Sequence, residues 1–436
     1  MKARRLEGRP VVVVDGARTP FLRSQTGFDG MMAYELGAAA VAGLLARTGV
    51  DPAEIDRLIF GTVIAETATS NLAREVGLAS GVPKACPAHT VTAACISSNI
   101  AISTGAEAIA AGMADLLIAG GAETLSDVPI RFRKPVRKRL IASQKARSLG
   151  DYLKLLKGLR LSDLAPEVPA LAEFSTGLTM GQNGERLAKR LGISRKEQDA
   201  FALSSHHRAA TATANGWLAS QMVPVSVPPS FNPISADNGV RGDTTPEKLA
   251  RLSPAFDRTF GTVTAGNSSF LTDGAAACLI ASEEKALALG LRPLARIVAF
   301  AYMAMDPLEE LLLGPVFSVP EALDAAGISL ADVGVLEVHE AFAAPVLAID
   351  RLLSDATFCR ERLGRSGAVG RIDGAKLNTW GGSLSIGHPF GATGARLVTT
   401  CARRLHQEGE RYGLVTACAA GALGHAMVLE RIGGER

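Results

Sequence analysis

The sequence contains an internal repeat, and this feature limits the fold of the chain more than any other. Residues 49–63, GVDPAEIDRLIFGTV, align without gaps with residues 327–341, GISLADVGVLEVHEA, and Gly49 matches Gly327. Each copy follows an alanine-rich run typical of a helix and leads into a short apolar run typical of a buried strand. The repeat therefore predicts two copies of one α/β unit within the 436 residues.

The similarity continues downstream of each copy, where it is looser. Residues 89–123 and residues 377–430 each show a strand pattern, a turn, a helix pattern and a further strand pattern. Cys95 stands just before the first of these helices, and His388 stands in a glycine-rich loop just before the second. We expect the two residues at equivalent turns of the two halves.

The stretch between the copies differs in composition from both. It is charged at first, then helix-like, and then rich in proline, which is typical of a domain inserted on one face of a core. A buried strand is predicted at residues 276–281, where the chain returns to the core. The predicted division is an N-terminal half at 1–125, an inserted loop domain at 126–255, a return to the first half at 256–290 and a C-terminal half at 291–436.

Positive charge is concentrated in residues 131–160, although the net charge of the chain is only +3. The segment holds eleven lysines and arginines and the single acid Asp151. Leucine and tyrosine recur at helical spacing from Leu149 to Leu159, which predicts an amphipathic helix with cationic flanks. We expect the segment to dock a partner subunit or to contact an anionic membrane surface. Packing on the protein's own core, binding of an anionic ligand and plain solvent exposure are the alternatives.

Cysteine use and hydropathy indicate the class of protein. The six cysteines form no CxxC pair and no dense framework of the kind seen in small secreted domains, which favours a reducing compartment. The apolar run near the N-terminus is too short for a signal peptide, and no uncharged stretch reaches about 18 residues. We expect a soluble, cytoplasmic protein that binds no nucleic acid.

Four reactive side chains stand in turns or at strand ends. Cys95 precedes a predicted helix, whose positive end favours a thiolate, and His388 is presented by a loop of glycine and proline. His339 ends an apolar strand, and Cys418 stands in a glycine-rich turn whose N–H groups suit an anion. Taken singly, Cys95 is more readily explained as a packing residue and His388 as a loop histidine bonded to backbone. Zinc is disfavoured, because no short ligand spacing is present.

Seven motifs together resemble the thiolase family, and they occur in the family's order over nearly the whole chain. They are GARTPF, TAACISSN, GTVTAGNSS, TDGAAA, HEAFA, GHPFGATGAR and TACAAGALGHA. The resemblance implies a duplicated α/β thiolase fold, in which two βαβαβαββ halves form α-β-α-β-α layers. Two five-stranded mixed sheets would enclose a central pair of helices, with a loop domain inserted in the first half.

The resemblance also implies a role for each reactive side chain. Cys95 matches the nucleophile that carries the acyl group as a thioester, and His388 matches the base that removes its proton. Cys418 matches the second acid/base cysteine, which handles the proton on C2 of the acetyl group. The amides of Cys95 and Ala420 would form one oxyanion hole, although many members have glycine where Ala420 stands. His339, where many members have asparagine, and His388 would stabilise the enolate.

Coenzyme A and 3-oxoacyl-CoA are the substrates that the resemblance implies, with no metal or redox cofactor. Ser269 matches a serine that contacts pantetheine, and Met180 and Phe342 match residues that line the pocket. Cations of the loop domain are candidates for binding the phosphates. The HEAFAA motif resembles the branch that forms the thiolase subunit of fatty-acid β-oxidation complexes, although Pro345 replaces the glutamine common in that branch.

We expect a degradative acetyl-CoA C-acyltransferase that cleaves 3-oxoacyl-CoA with coenzyme A into acetyl-CoA and an acyl-CoA shortened by two carbons. A biosynthetic acetoacetyl-CoA thiolase is the alternative nearest in chemistry, and a non-catalytic lipid-carrier or scaffold subunit is the alternative from another class. A 3-oxoacyl synthase normally has a histidine where Cys418 stands, which argues against that activity. The implied partners are a second copy, as a homodimer or dimer of dimers, and an enoyl-CoA hydratase/3-hydroxyacyl-CoA dehydrogenase subunit.

Overall fold

The computed structural model describes residues 4–169 and 172–433. The strands in these residues are β1 (Arg4–Arg5), β2 (Val11–Arg18), β3 (Leu22–Arg23), β4 (Arg57–Gly61), β5 (Ala88–Val91), β6 (Leu116–Glu123), β7 (Arg131–Phe132), β8 (Pro166–Glu167), β9 (Val225–Val227), β10 (Asn232–Ile234), β11 (Thr272–Ser282), β12 (Ala295–Ala304), β13 (Val333–Val338), β14 (Tyr412–Ala419) and β15 (Leu423–Arg431).

Helices alternate with the strands in both halves and also build much of the inserted domain. They are α1 (Ala33–Thr48), α2 (Leu72–Ala79), α3 (Ser97–Ala110), α4 (Lys134–Ser143), α5 (Leu149–Leu156), α6 (Met180–Arg190), α7 (Arg195–Ala214), α8 (Pro246–Ala250), α9 (Glu283–Ala288), α10 (Gly314–Ala326), α11 (Ala343–Ser354), α12 (Ala356–Leu363), α13 (Ser383–Ile386) and α14 (Thr393–Gln407). Short 3₁₀ helices occupy Pro52–Glu54, Leu161–Leu164, Ala219–Gln221 and Leu330–Asp332.

The first half has the order of elements that the family resemblance implies. Without the inserted domain and the short strand β3, its elements are β2, α1, β4, α2, β5, α3, β6 and β11. In the sheet these strands lie in the order β2-β11-β6-β4-β5, in which β4 runs parallel to both of its neighbours and β11 runs antiparallel to both of its neighbours. The strand predicted at residues 276–281 is confirmed, and it extends over the whole of β11, which is buried throughout.

The second half departs from this pattern at its third strand. A single bridge between Leu377 and Leu336 of β13 stands where that strand is expected. The side chain of Asn378 takes over the pairing, because its Oδ1 accepts from the N–H of Val338 at 2.8 Å and its Nδ2 donates to the carbonyl of Val338 at 2.9 Å. Asn378 has φ 45°, a left-handed conformation that turns the chain out of the strand direction.

The two expected sheets are joined edge to edge. Ala295 and Arg296 of β12 pair antiparallel with Val13 and Val12 of β2. The hydrogen-bonded path therefore runs without interruption as β13-β14-β15-β12-β2-β11-β6-β4-β5. This backbone pairing fixes the position of one half relative to the other.

The largest apolar cores lie between the layers of helices and strands. The central core packs α3 and α14 between the two halves of the sheet, with Ile102, Val398 and Val415 among its buried side chains. A second core packs α1 and α2 on the outer face of the first half, and a third packs α10 and α11 on the outer face of the second half. The expected α-β-α-β-α layering is confirmed.

The repeated segments end a helix in the same way in both halves. Gly49 follows α1 with φ 67°, and Gly327 follows α10 with φ 73°. Glycine adopts this left-handed conformation without steric cost, which suits it to the end of a helix. A 3₁₀ turn and then β4 or β13 follow each glycine. The two aligned sequences therefore form the same structural unit, as predicted.

The inserted region holds β7 to β10 and α4 to α8. Helices α4 and α5 pack together as a hairpin within the basic segment. The predicted amphipathic helix is confirmed as α5, Leu149–Leu156, and Leu159 lies beyond its end. Across residues 4–169 and 172–433, no helix is both long enough and apolar enough to cross a membrane.

Candidate active site

Cys95 lies in a tight turn two residues before α3. Ala94 has φ 48°, a strained conformation for a residue with a Cβ atom. The Ser97 hydroxyl holds this turn, because it accepts from the N–H of Ala93 at 2.9 Å and donates to the carbonyl of Ala94 at 2.7 Å. Cys95 is partly exposed, whereas Cys86, Cys278, Cys359, Cys401 and Cys418 are all buried. Cys95 is thus the most accessible of the six cysteines as a residue, although surrounding groups bury its thiol.

His388 lies in a loop of the second half that is held by groups of the first half. Its backbone N–H donates to the Thr272 hydroxyl at the start of β11, at 3.0 Å. The N–H of Gly391, three residues on, donates to the Glu123 carboxylate at the end of β6, at 2.9 Å. The loop leads into α14, as Cys95 leads into α3, so the two residues occupy the equivalent turns that the repeat predicts.

His339 and Cys418 lie at the ends of neighbouring strands. His339 directly follows β13, as expected, and its N–H donates to the carbonyl of Thr416 on β14 at 2.9 Å. Cys418 is the last residue but one of β14, so its predicted position in the glycine-rich turn is wrong. The turn itself begins after Ala419, because antiparallel pairing between β14 and β15 extends to that residue.

The four elements bring three of these side chains into one cluster. Cys95 contributes its sulfur, and His339 and His388 each contribute a ring nitrogen. These three atoms lie within 4.8 Å of one another. The two imidazole rings are tilted against each other, with 4.1 Å between their centroids. Burial raises the pKa of the Cys418 thiol to about 12, and interaction with the nearby Cys95 thiol contributes to this increase.

The hydrogen bonds of His388 define which ring nitrogen carries the proton. Nδ1 lies 2.6 Å from the Thr393 hydroxyl, and that hydroxyl donates its only proton to the carbonyl of Pro389 at 3.0 Å. The Thr393 oxygen must therefore accept from Nδ1–H. The Nε2 atom therefore carries no proton and has a free lone pair. It is buried without a hydrogen-bond partner in the described structure. His388 is thus held in the tautomer of a general base.

His339 is held by a different pair of groups. Its Nδ1 lies 3.0 Å from the Ser383 hydroxyl, whose oxygen accepts from the Arg396 guanidinium at 3.3 Å. This arrangement leaves the serine proton free to go to Nδ1, which places the ring proton of His339 on Nε2. An Nε2–H directed into the site is a hydrogen-bond donor, so the two histidines are suited to opposite tasks.

Burial keeps the resting thiol and imidazole uncharged. It raises the pKa of the Cys95 thiol to about 12, against hydrogen bonds from the N–H groups of Ala420 and of Cys95 itself. Burial also holds the pKa of His388 well below its ordinary value, and the His339 ring and the Arg396 guanidinium lower it further. The expected stabilisation of a thiolate by the end of α3 is therefore outweighed by the loss of water.

Ala420 lies at the point where the resemblance placed an oxyanion donor. Its N–H is directed at the sulfur of Cys95, beside the N–H of Cys95 itself. Positive φ values occur at Gly421 and Ala422 but not at Ala420. A side chain at position 420 is therefore compatible with the backbone, and the substitution of glycine by alanine leaves the amide available.

The expected substrate-binding residues lie on segments that meet around Phe342. The N–H of Ser269 donates to the carbonyl of Ala341 at 2.9 Å, next to Phe342. The Phe342 ring packs edge to face on Phe256 with 6.1 Å between centroids, and Met180 at the start of α6 packs against the same apolar core. The structure thus brings these residues together. Their contact with substrate stays a prediction.

Several polar residues of the site were missed by the sequence reasoning. Thr393 and Arg396 stand inside the quoted motif GHPFGATGAR, where only the histidine received a role. Hydroxyl and guanidinium groups within eight residues of a candidate base are a signal that such groups orient it. Glu123 and Glu173 gave no comparable signal, because each reaches the site from a distant segment, Glu173 by accepting from the N–H of Gly421 at 2.8 Å.

Comparison with known proteins defines the class. The family model for the N-terminal domain of thiolase matches residues 11–284, and the model for the C-terminal domain matches residues 291–431. The chain therefore belongs to the thiolase family, and it is an acyltransferase. The motifs, the duplicated fold and the cluster of cysteine and histidine side chains agree with this assignment.

Individual relatives indicate which members of the thiolase family the chain is similar to. The human mitochondrial trifunctional enzyme subunit beta is 50% identical over 422 residues, which cover 97% of this chain and 88% of that protein. A 3-ketoacyl-CoA thiolase of Yersinia pestis is 48% identical over 424 residues, which cover 97% of each chain. Crystal structures of Bacillus anthracis acetyl-CoA acetyltransferase and human mitochondrial 3-ketoacyl-CoA thiolase are each 31% identical, with TM-scores of 0.84 and 0.83, and cover 98% of this chain and 100% and 99% of theirs.

The neutral resting state can be tested by pH titration. Because burial raises the pKa of Cys95 to about 12, the thiolate should be absent at neutral pH and should form only as the pH approaches that value. The difference in thiolate ultraviolet absorbance between wild type and Cys95→Ser should stay flat below about pH 10, two units under the raised value. A thiolate step at or below neutral pH would instead indicate a thiolate–imidazolium pair.

The orientation of His388 can be tested with Thr393→Val. Valine has the shape of threonine but cannot accept from Nδ1–H, so the ring is free to adopt the wrong tautomer. Formation of the acyl-enzyme should slow roughly 10- to 100-fold, less than the 10²–10⁴ that general-base catalysis contributes in full, because the base itself is retained. Thr399→Val is the matched control, because Thr399 lies on the same helix and its hydroxyl donates to the Ala395 carbonyl. Equal rates in the two variants would contradict the assigned tautomer.

Proposed function

We propose that the protein cleaves 3-oxoacyl-CoA with coenzyme A, giving acetyl-CoA and an acyl-CoA two carbons shorter, in fatty-acid β-oxidation. The observation that supports this most is the convergence of Cys95, His339 and His388 within 4.8 Å, with Cys418 beside Cys95. Breaking the C2–C3 bond needs a nucleophile at C3, a stabilised oxygen and an acid for the expelled carbanion. The cluster offers a side chain for each requirement.

In the first half-reaction, the sulfur of Cys95 attacks C3 while its proton moves to Nε2 of His388. The N–H groups of Cys95 and Ala420 stabilise the oxyanion at C3. When the C2–C3 bond breaks, its electron pair passes to the acetyl thioester as an enolate, which accepts hydrogen bonds from Nε2–H of His339 and His388. Cys418 then donates its proton to C2, and acetyl-CoA leaves.

In the second half-reaction, coenzyme A carries off the acyl group. The Cys418 thiolate left by the first half-reaction removes the proton from the coenzyme A thiol. The coenzyme A sulfur attacks the thioester carbon, and the same two backbone N–H groups stabilise the oxyanion. Cys95 leaves as a thiolate and recovers its proton from His388. The enzyme returns to its starting protonation state, and no metal or redox cofactor enters the cycle.

A biosynthetic acetoacetyl-CoA thiolase is the second candidate, since a structure titled as an acetyl-CoA acetyltransferase matches with a TM-score of 0.84. The higher sequence identity to a 3-ketoacyl-CoA thiolase, 48%, favours the degradative activity. The ratio of kcat/KM for a long-chain 3-oxoacyl-CoA to that for acetoacetyl-CoA separates the two. A cytoplasmic location, solubility and the lack of a nucleic-acid partner stay predictions.

We propose that the hairpin of α4 and α5 docks a hydratase/dehydrogenase subunit. Three of the four leucines of α5 are exposed, with Leu149 at 77%, Leu153 at 60% and Leu156 at 62%, so packing on the chain's own core does not account for them. Exposed apolar side chains beside lysines are typical of a docking surface. Relatives named trifunctional enzyme subunit beta support a partner of this kind.

We also propose a homodimer, or a dimer of such dimers. β5 ends the hydrogen-bonded path of the sheet and pairs with β4 on one side. The other side of an edge strand presents backbone groups that a second copy can pair with. β5 leads into the turn that carries Cys95, so such a contact would also support the site.

The acid/base role of Cys418 predicts a selective defect in Cys418→Ala. The variant should still form acyl-Cys95 from a simple acyl-CoA, because Cys95 and His388 suffice for that step. Cleavage of 3-oxoacyl-CoA should fall by roughly 10²–10⁴, the range for loss of a general acid. Mass spectrometry locates the acyl group, and Cys359→Ala serves as a control for loss of a buried thiol. An acyl group on Cys418 of the wild type would overturn the assignment.

The docking proposal predicts a salt-sensitive loss of binding after charge reversal. Arg137 pairs with Glu167 on β8, and Arg139 donates to the carbonyl of Lys157 just beyond α5, so both help to hold α4 in place. Exposed lysines are better targets, and the test variant combines Lys134→Glu, Lys138→Glu and Lys157→Glu. It should co-purify less with a hydratase/dehydrogenase subunit, while acetoacetyl-CoA cleavage stays nearly unchanged.

A control with the same change of charge carries Lys84→Glu, Lys196→Glu and Arg251→Glu, which are exposed positions outside the segment. Loss of binding only to anionic vesicles would assign the surface to a membrane. Parallel loss of activity would assign it to coenzyme A phosphates. Unchanged binding would leave the segment as solvated surface.

A further inference from the structure

Cys95, His339 and His388 share a geometry that suits a metal ion as well as the proposed acid/base chemistry. Their three ligating atoms lie within 4.8 Å of one another. The Nε2 atoms of both histidines are buried and have no hydrogen-bond partner among the described residues. The histidines are 2% and 3% exposed, so these nitrogens are also shielded from water. Buried polar atoms without partners are uncommon, and each calls for a ligand or a function.

The contacts of the two histidine Nδ1 atoms with hydroxyl groups have the form found at metal sites. A histidine that binds a metal through one ring nitrogen usually donates the other ring N–H to a fixed oxygen. Nδ1 of His388 contacts the Thr393 hydroxyl at 2.6 Å, and Nδ1 of His339 contacts the Ser383 hydroxyl at 3.0 Å. Both Nε2 atoms are therefore directed and supported as ligands. For His339, this requires the ring proton to move to Nδ1.

We propose that Cys95, His339 and His388 also form an inhibitory site for zinc, with one thiolate, two imidazoles and water as the fourth ligand. Ligands at 2.0–2.3 Å from a tetrahedral zinc are roughly 3.5 Å apart, so the cluster has to close by about 1 Å. Cys95 gives up its thiol proton to solvent when the Zn–S bond forms, and zinc is neither oxidised nor reduced. The bound metal holds both the nucleophile and the base.

This proposal rests on the proposed function for its consequence, because zinc inhibits only if Cys95 and His388 carry the reaction. The binding itself rests on geometry alone. His339 is the residue that distinguishes a site with three ligands from one with two. His339→Asn should therefore weaken zinc binding by at least the roughly 10- to 100-fold that loss of a partner hydrogen-bonded to a ligand costs, because it removes a ligand itself.

Cobalt is the spectroscopic probe for the site, because it takes zinc positions and reports a bound thiolate. The full chain is stripped with a chelator and titrated with Co²⁺. Wild type should bind one ion per chain with a thiolate-to-cobalt charge-transfer band, which zinc displaces. Cys95→Ser should lose the band, and calorimetry with Zn²⁺ should show the weakened binding of His339→Asn. His207→Asn, a histidine outside the cluster on α7, should behave as wild type.

The outcomes separate this proposal from the proposed function. Chelator-treated enzyme that cleaves 3-oxoacyl-CoA but shows no band would overturn the zinc site alone. Enzyme that shows the band but cleaves no 3-oxoacyl-CoA would support the site and overturn the function. Equal zinc binding by wild type, Cys95→Ser and His339→Asn, with circular dichroism unchanged, would place the metal elsewhere and overturn the proposal.

Discussion

The active site depends on a contact between the two halves at Glu123. Its buried carboxylate accepts from the N–H groups of Val63, Ile64 and Gly391, and so ties the loop that carries His388 to strands of the first half. Burial raises the pKa of Glu123 to about 7, against these hydrogen bonds. A Cβ atom on Gly121 would lie 1.9 Å from the carbonyl of Gly391, so only glycine permits this approach. This contact holds the loop of His388 against the half of the chain that carries Cys95.

The same packing that joins the halves also removes water from the site. The thiol and the imidazoles therefore rest uncharged, so in the proposed mechanism proton transfer accompanies the attack on substrate. Fixed hydroxyls replace water as the groups that orient the two rings. Thr393 directs a lone pair of His388 into the cluster, whereas Ser383 allows His339 to direct a proton there. The two histidines therefore differ in the site, since His388 offers a proton acceptor and His339 offers a hydrogen-bond donor.

A buried ionic cluster contacts the group that orients His339, because its Arg396 donates to the Ser383 hydroxyl. Glu337 on β13 lies 2.7 Å from the guanidinium of Arg404 and 3.5 Å from that of Arg396, and all three side chains are almost completely buried. Such a cluster contributes little net stability, because removing each charge from water offsets the attraction between them. Its effect on the site is clearer, since Arg396 donates to Ser383 and lowers the pKa of both histidines.

The sequence by itself determined the duplication, the order of elements in the first half and the residues of the cluster. The aligned segments at Gly49 and Gly327, the turns before α3 and α14 and the buried strand β11 follow from local patterns of small, apolar and turn-forming residues. Local patterns are sufficient there because each element forms from neighbouring residues. The motif resemblance then placed Cys95, His339, His388 and Cys418.

Only the tertiary structure decided how these residues act. The joining of the sheets through β12 and β2, the replacement of a strand by the side chain of Asn378, and the contact of Glu123 with Gly391 involve residues that are distant in sequence. The helix before which Cys95 stands favours a thiolate, but desolvation by both halves reverses that preference. Burial and long-range hydrogen bonds belong to the folded assembly, so no single segment contains them.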